Sequence, residues 1–229
     1  MPSSSWFPSR LSIPSSVTDR LAWPSRQTSL IIAIAVGTAA VLGLVIWSWH
    51  SSQERQAGAA YAVAIARVQQ ATRAAGQIPP EVRAAAVRDL EATLQAYPSG
   101  SSSAQGAYEL AAVKYQDRQY SAARRAYELA AAKASRGMLR TLARLGTGYT
   151  WEAERDFPKA VGAYQSAVGD LGTSDPLYEE ALVDLGRVQE LAGRKDDAVQ
   201  TYRRLLKDRP KSPRADDLRT RLASLGVTP

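Results

Sequence analysis

Between residues 86 and 205 one short pattern returns four times: a small alanine, three residues, a tyrosine, two residues, then a small or aliphatic side chain. Its clear copies are Ala123/Tyr127/Ala130, Ala160/Tyr164/Ala167 and Ala198/Tyr202/Leu205, and Ala86/Leu90/Thr93 is a weaker one. The alanines recur at nearly equal intervals, from Ala86 to Ala123, to Ala160 and to Ala198. Thirteen residues before the first and third of the clear alanines stand Leu110-Ala111 and Leu185-Gly186; Pro98 follows Ala86 at the distance at which Pro210 follows Ala198. Such self-similarity belongs to chains built from units that bury their apolar face only against the next unit. From residue 54 onward the composition is rich in Ala, Leu, Arg and Glu. Short breaks punctuate it at Gly76-Gln77-Ile78-Pro79-Pro80, Pro98-Ser99-Gly100, Ser135-Arg136-Gly137, residues 169–176 and residues 209–213. No stretch alternates like a strand for long, so the region reads as all-α. Pro80, Pro176 and Pro213 suit the first position of a helix, the last two behind Asp175 and Ser212 as N-caps.

This pattern resembles the tetratricopeptide repeat, a helix–turn–helix unit of about 34 residues with small side chains where its two helices cross. The resemblance implies a right-handed solenoid of about four helical hairpins, at residues 54–97, 103–134, 138–169 and 176–208. A capping helix follows at 213–225, with Leu218, Leu222 and Leu225 on one face. The slightly longer interval in this chain must lengthen turns or helices. In the third copy two registers stay open: Gly148 stands at the regular distance from Ala160, yet Leu145-Gly146 with Tyr149 fits the repeat pattern too and implies a longer hairpin turn.

Ahead of the repeats, no formal charge occurs between Arg26 and Glu54. Residues 30–47 form an apolar run broken only by Thr38, about 27 Å long as a helix, and residues 28–49 reach the thickness of a bilayer core. The run lacks the polar stripe of a core helix, and Trp47-Ser48-Trp49-His50-Ser51 offers no small-x-small cleavage site. An uncleaved single-pass anchor is the expectation, with Trp47 and Trp49 at the far interface. Arg10, Arg20 and Arg26 against Asp19 bias the head, residues 1–27, toward the cytoplasm. Rich in Pro and Ser with scattered Trp6, Phe7 and Trp23, that head is expected to be disordered.

Composition narrows the chemistry. The chain has no cysteine and a single histidine, His50, which leaves almost nothing for a catalytic triad, a thiol nucleophile, a lipoprotein anchor or a multi-His metal site. No enzyme activity, cofactor or small-molecule substrate is expected. The net charge is +7, but basic and acidic residues are interleaved rather than gathered on one face, which argues against nucleic acid. Glu179-Glu180, Asp196-Asp197 and Asp216-Asp217 are neighbours that point apart on a helix, and they suit helix starts better than acid–base work. Gly146-Thr147-Gly148 lacks the strand and lysine of a phosphate loop.

The tetratricopeptide resemblance implies a groove lined by the first helix of each unit. Its positions fall on Gln105, Tyr108, Ala112 and Tyr115, then on Leu145, Tyr149 and Glu152 in the Gly148 register, then on Val183, Arg187 and Glu190. Two readings stand side by side: a peptide groove with aromatic anchors, or tyrosines that only pack between units. In the order of its parts the chain resembles YfgM-type membrane-anchored tetratricopeptide proteins, ancillary subunits of the bacterial Sec translocon. The likeness runs through Trp47-Ser48-Trp49-His50-Ser51-Ser52-Gln53, the alanine-rich helix at 57–71 and Ala104-Gln105-Gly106-Ala107-Tyr108-Glu109-Leu110-Ala111. The Pro/Ser/Arg-rich head departs from that family's acidic one. The resemblance implies an adaptor with its anchor in the inner membrane, its repeats in the periplasm, and translocon or chaperone partners. Apocytochrome handling in cytochrome c maturation and an accessory role in a large membrane complex stay open beside it.

Overall fold

The computed structural model describes residues 26–73 and 79–227. The expected disordered head and the break at Gly76-Gln77-Ile78 lie outside the described residues, apart from the head's last two positions. Nine helices and no strand occur among the described residues: α1 (Arg26–Arg73), α2 (Pro80–Ala96), α3 (Ser103–Gln116), α4 (Tyr120–Lys133), α5 (Met138–Ala153), α6 (Phe157–Gly169), α7 (Tyr178–Leu191), α8 (Lys195–Asp208) and α9 (Ala215–Ser224). The chain divides into two units, one ending at Ser52 and one beginning at Gln53.

In the first unit the described residues are helical and their apolar side chains are exposed, among them Leu30, Ile34, Leu42, Ile46, Trp47 and Trp49. The one polar interruption is satisfied locally, because the Thr38 hydroxyl donates to the Ile34 and Ala35 carbonyls at 2.9 Å. Helix α1 is 48 residues long and continues through the exit at residues 47–53 to Arg73. The apolar run and the first repeat helix, read in the sequence as separate elements, are therefore one helix. No proline or helix-ending glycine stands between them to stop it.

The second unit is a solenoid of antiparallel hairpins. Helices α3/α4, α5/α6 and α7/α8 pair through short turns of equal length, at 117–119, 154–156 and 192–194. All three turns share one geometry. The amide of the middle residue donates to the carbonyl three back (Arg118 to Tyr115, Arg155 to Glu152, Gly193 to Glu190, each 2.9 Å). The next amide reaches five back, Gln119 to Lys114, Asp156 to Trp151 and Arg194 to Gln189. This double closure is a Schellman motif, which requires a left-handed residue at its centre. Gly193 meets that at φ 74°, while Arg118 and Arg155 are held at φ 58° and 61°. Since the hairpin turns are of equal length, the extra residues per unit lie in the longer α5 and between the hairpins, chiefly at 170–177.

Small residues stand at the crossings because tyrosine rings occupy the space beyond them. A Cβ on Gly148 would lie 2.6 Å from the Tyr164 ring, and one on Gly146 would lie 2.6 Å from the Tyr127 ring. Gly148 is thus the crossing residue within the third hairpin, equivalent to Gly186 against Tyr202, and Gly146 receives the tyrosine of the preceding unit. The equal turns and these contacts select the Gly148 register. Tyr164, Tyr178 and Tyr202 are fully buried, together with Leu182, Leu205, Leu218 and Leu222, in a core that runs from α5 to α9. A separate cluster around Tyr61, Val68 and Leu90 joins α1 to α2 and α3. Each such large apolar side chain removed from water contributes about 1.5–3 kcal/mol.

Two helix starts fall later than the prolines suggest. Tyr178 donates its amide to the Asp175 carbonyl at 3.1 Å, and Ala215 donates to that of Ser212 at 3.0 Å. Pro176 and Pro213 therefore occupy the second position of a turn that leads into α7 and α9, where a fixed φ is equally suitable. Asp175 and Ser212 do not act as N-caps; Asp175 Oδ2 accepts from the Gly172 amide, and Ser212 Oγ accepts from the Arg214 amide. Pro80 does stand at the first position of α2.

Candidate protein-binding face

Side chains of α1 and α3, of α5 and α7, and of α7 and α9 reach one another across successive units, and α3 packs near α5 through Ala107, Ala111 and Ala143. Gln69 on α1 donates to Glu109 on α3 at 3.0 Å, and Gln105 donates to the same carboxylate at 2.9 Å. Tyr149 on α5 donates to Asp184 on α7 at 2.7 Å, with Glu180 at 3.5 Å from the same hydroxyl. Arg187 on α7 reaches back to Glu152 on α5 with both terminal nitrogens and also holds Asp184 at 2.9 Å. Glu190 accepts from the Tyr202 hydroxyl and, at 3.2 Å, from Arg221 on α9.

The expected groove residues divide accordingly. Tyr149, Glu152, Arg187 and Glu190 belong to a network that satisfies itself, because Glu152 also accepts from Tyr164 at 3.0 Å and Tyr149 meets the Tyr164 ring edge-on at 5.7 Å. Tyr108 and Tyr115 differ. Both are half-buried; Tyr108 stands edge-on against Tyr127 at 5.6 Å and Tyr115 lies tilted against Tyr120 at 5.4 Å. Neither hydroxyl finds a hydrogen-bond partner among the described residues. Gln105 is exposed beside them, Ala112 and Val183 are half-buried, and Leu145 at 2 % exposure belongs to the core rather than the groove. Leu145 turns inward because Gly146 and Gly148, close by on the same helix, leave the ring space that draws α5 against its neighbours.

The repeat pattern does not place Glu109, Asp184 or Gln69 in the groove, and Glu180 reads in the sequence only as a helix-start carboxylate. Their signal is helical spacing: Glu109 lies four residues after Gln105, and Asp184 lies three before Arg187, so each shares a face with a groove position. The electrostatics agree with this proximity. Burial first, then the charges of Glu109 and Glu180, push the Tyr108 phenol above its usual range. Burial, Tyr120 and Glu152 do the same to Tyr115. For Tyr149, burial is reinforced by its hydrogen bond to Asp184.

The paired carboxylates play structural roles. Glu179-Glu180, Asp196-Asp197 and Asp216-Asp217 sit in the first turns of α7, α8 and α9, where the helix dipole favours them. Asp197 pairs with Arg194 at 2.6 Å, and Glu179 accepts from Ser212 at 2.8 Å.

Residues 153–222, which span α6 to α9, match the tetratricopeptide repeat family. No match is found among curated protein sequences. Among solved structures, the chain is similar to the nearly identical TPR-like repeats of a Podosopora anserina protein assigned as a kinesin light chain. Identity is 18 %, the match covers 76 % of this chain and 84 % of that one, and the TM-score is 0.52. A singly substituted form of the same repeats matches equally, and the MamA protein matches at 17 % identity over 67 % of this chain and 94 % of its own, with a TM-score of 0.41. The likeness at this level is one of fold. The repeat region is an all-α solenoid of the tetratricopeptide type.

Proposed function

We propose that this chain is a non-catalytic, membrane-anchored adaptor whose first-helix face receives segments of other proteins. The observation that carries the binding half is the pair of tyrosines, Tyr108 and Tyr115, whose hydroxyls find no partner among the described residues, beside an α5–α7 stretch closed by its own hydrogen bonds. Half-buried tyrosine gives a partner large rigid contact area at little entropic cost, which is why it recurs among interface hot spots. The anchor half rests on α1, whose stretch beginning at Ser29 is long and apolar enough to cross a membrane and has none of its apolar window buried. We read it as a single-pass anchor in a bacterial inner membrane, with the head cytoplasmic, the repeats periplasmic, and translocon or chaperone partners of the YfgM kind.

Replacing Tyr108 and Tyr115 by Ala should weaken partner capture by more than about 1 kcal/mol per true hot spot while the melting temperature stays near that of the parent. If each variant instead melts lower and the folded fraction binds as before, these tyrosines serve packing alone. Affinity purification of the full-length protein in mild detergent, with mass spectrometry, identifies what is captured; translocon subunits or periplasmic chaperones support the assignment. A second reading, an accessory subunit packed on one large membrane complex, draws on the self-satisfied network around Arg187. Stoichiometric recovery of one such complex would establish it in place of the first.

A further inference from the structure

We propose that the first-helix face selects a basic, extended polypeptide segment bearing Lys or Arg between apolar residues, and that it rejects acidic ones; this rests on the groove reading above. Helices α3, α5 and α7 carry four basic side chains. Three of them turn away from the face: Lys114 pairs with Glu91 on α2 at 2.9 Å, and Arg144 and Arg140 reach Asp170 beyond the end of α6 at 2.7 and 3.9 Å. Only Arg187 remains, and it is already divided between Glu152 and Asp184. Against it stand the carboxylates Glu109, Glu152, Glu180, Asp184 and Glu190. In a chain whose net charge is +7, the part of this face formed by α3, α5 and α7 is therefore an acidic surface, flanked by Arg73, four residues after Gln69 on α1, and by Arg221 on α9.

The arrangement fixes which partner chemistry can dock. A carboxylate-ended or acidic segment lying along α3, α5 and α7 would need a free cation there, and Arg187, the one guanidinium that stretch presents, is already shared between Glu152 and Asp184. A lysine or arginine side chain meets the reverse situation. Tyr108 is half-buried on the same helix as Glu109, the residue after it, so that a cation docking on α3 gains Coulomb attraction and has an aromatic side chain close by. Among the described residues Glu109 is held by the neutral amides of Gln69 and Gln105, and Glu180 is exposed with one long contact to Tyr149. Neither charge is neutralised, and the Tyr108 and Tyr115 hydroxyls stand ready for the backbone of the bound segment.

The test uses the full chain in uncharged maltoside micelles and three labelled peptides of identical Leu, Ser and Gly spacing, with Lys, Gln or Glu at the remaining positions. Fluorescence anisotropy should show the Lys peptide binding, with affinity that falls as salt is raised, and the Glu peptide failing to bind. The Glu180→Lys variant should weaken the Lys peptide about tenfold. Glu128→Lys, an exposed charge change on α4, should leave binding unaltered and serves as the control for net charge. If the Gln or Glu peptide binds as tightly as the Lys peptide, or if Glu180→Lys has no effect, the selection for basic segments is overturned while the groove stands. If none of the three peptides binds, the groove reading fails and takes this inference with it.

Discussion

Gly148→Ala is the substitution that tests the packing argument most directly. The added Cβ would lie 2.6, 2.7 and 2.8 Å from three carbons of the Tyr164 ring, where carbon atoms prefer about 3.5 Å or more. That ring has no room to withdraw. It is fully buried, its hydroxyl is held by Glu152 at 3.0 Å, and Tyr149 stands against it edge-on. Overfilling a close-packed site of this kind costs about 1–3 kcal/mol, and the better helix propensity of alanine returns about 1 kcal/mol. The net expectation is a loss of up to about 2 kcal/mol, centred on about 1, and at that centre a fall in melting temperature of about 2–4 °C for a chain of this size. Gly162→Ala on the exposed side of α6 is the matched control. Nothing lies within 4 Å of its Cβ, so the helix-propensity gain of about 1 kcal/mol should appear alone, as a rise of about 2–4 °C. Thermal unfolding of the full-length protein followed by near-ultraviolet circular dichroism reports both. A Gly148→Ala protein that melts at or above the parent would refute the claim that ring and helix backbone are interlocked.

Further outcomes follow from the turns and from the buried phenols. Arg118→Gly should stabilise by about 0.5–1 kcal/mol, measured by urea unfolding, because glycine adopts φ 58° without the strain an arginine bears there. Stability should also fall as the solution becomes alkaline. Tyr127, Tyr149, Tyr164 and Tyr202 are all raised above the usual tyrosine value of 10.0, burial being the first cause in each. A raised value means that the folded state keeps a proton which the unfolded chain gives up. The stabilisation is complete below about pH 10 and is lost as the pH climbs from there toward the folded-state values. A melting temperature unchanged between about pH 9 and pH 11.5 would contradict this.

The repeat was legible because alanines at fixed spacing mark places where two helices must touch, and touching helices tolerate little else. The third hairpin was ambiguous for the same reason. Gly146 and Gly148 both satisfy the pattern, and only the folded chain reveals that each accommodates a different ring, Tyr127 for one and Tyr164 for the other. The continuity of α1 was hidden by a change of environment rather than of conformation: residues 47–56 switch from apolar to polar without any helix-breaking residue. Groove positions read from the repeat form a row of tyrosines and charges without their pairings. Whether Arg187 is open or already shared depends on Asp184, one turn away on α7, and above all on Glu152, which lies on α5 and far away along the chain. Asp175 and Ser212 misled because a residue that opens a proline turn has the same chemistry as one that caps a helix.

The glycine that receives Tyr127 carries a consequence for how such a chain can be rebuilt. Counting forward by the interval that separates Ala160 from Ala198, the place held by Gly146 in the third unit is held by Asp184 in the fourth. The hairpins are therefore not interchangeable bricks. Deleting the third, or exchanging it with the fourth, would set a carboxylate side chain where the Tyr127 ring now lies against bare backbone. The order of the units is written into that one position, and an engineer who wishes to lengthen or shuffle this scaffold must carry Tyr127 together with the glycine of its successor.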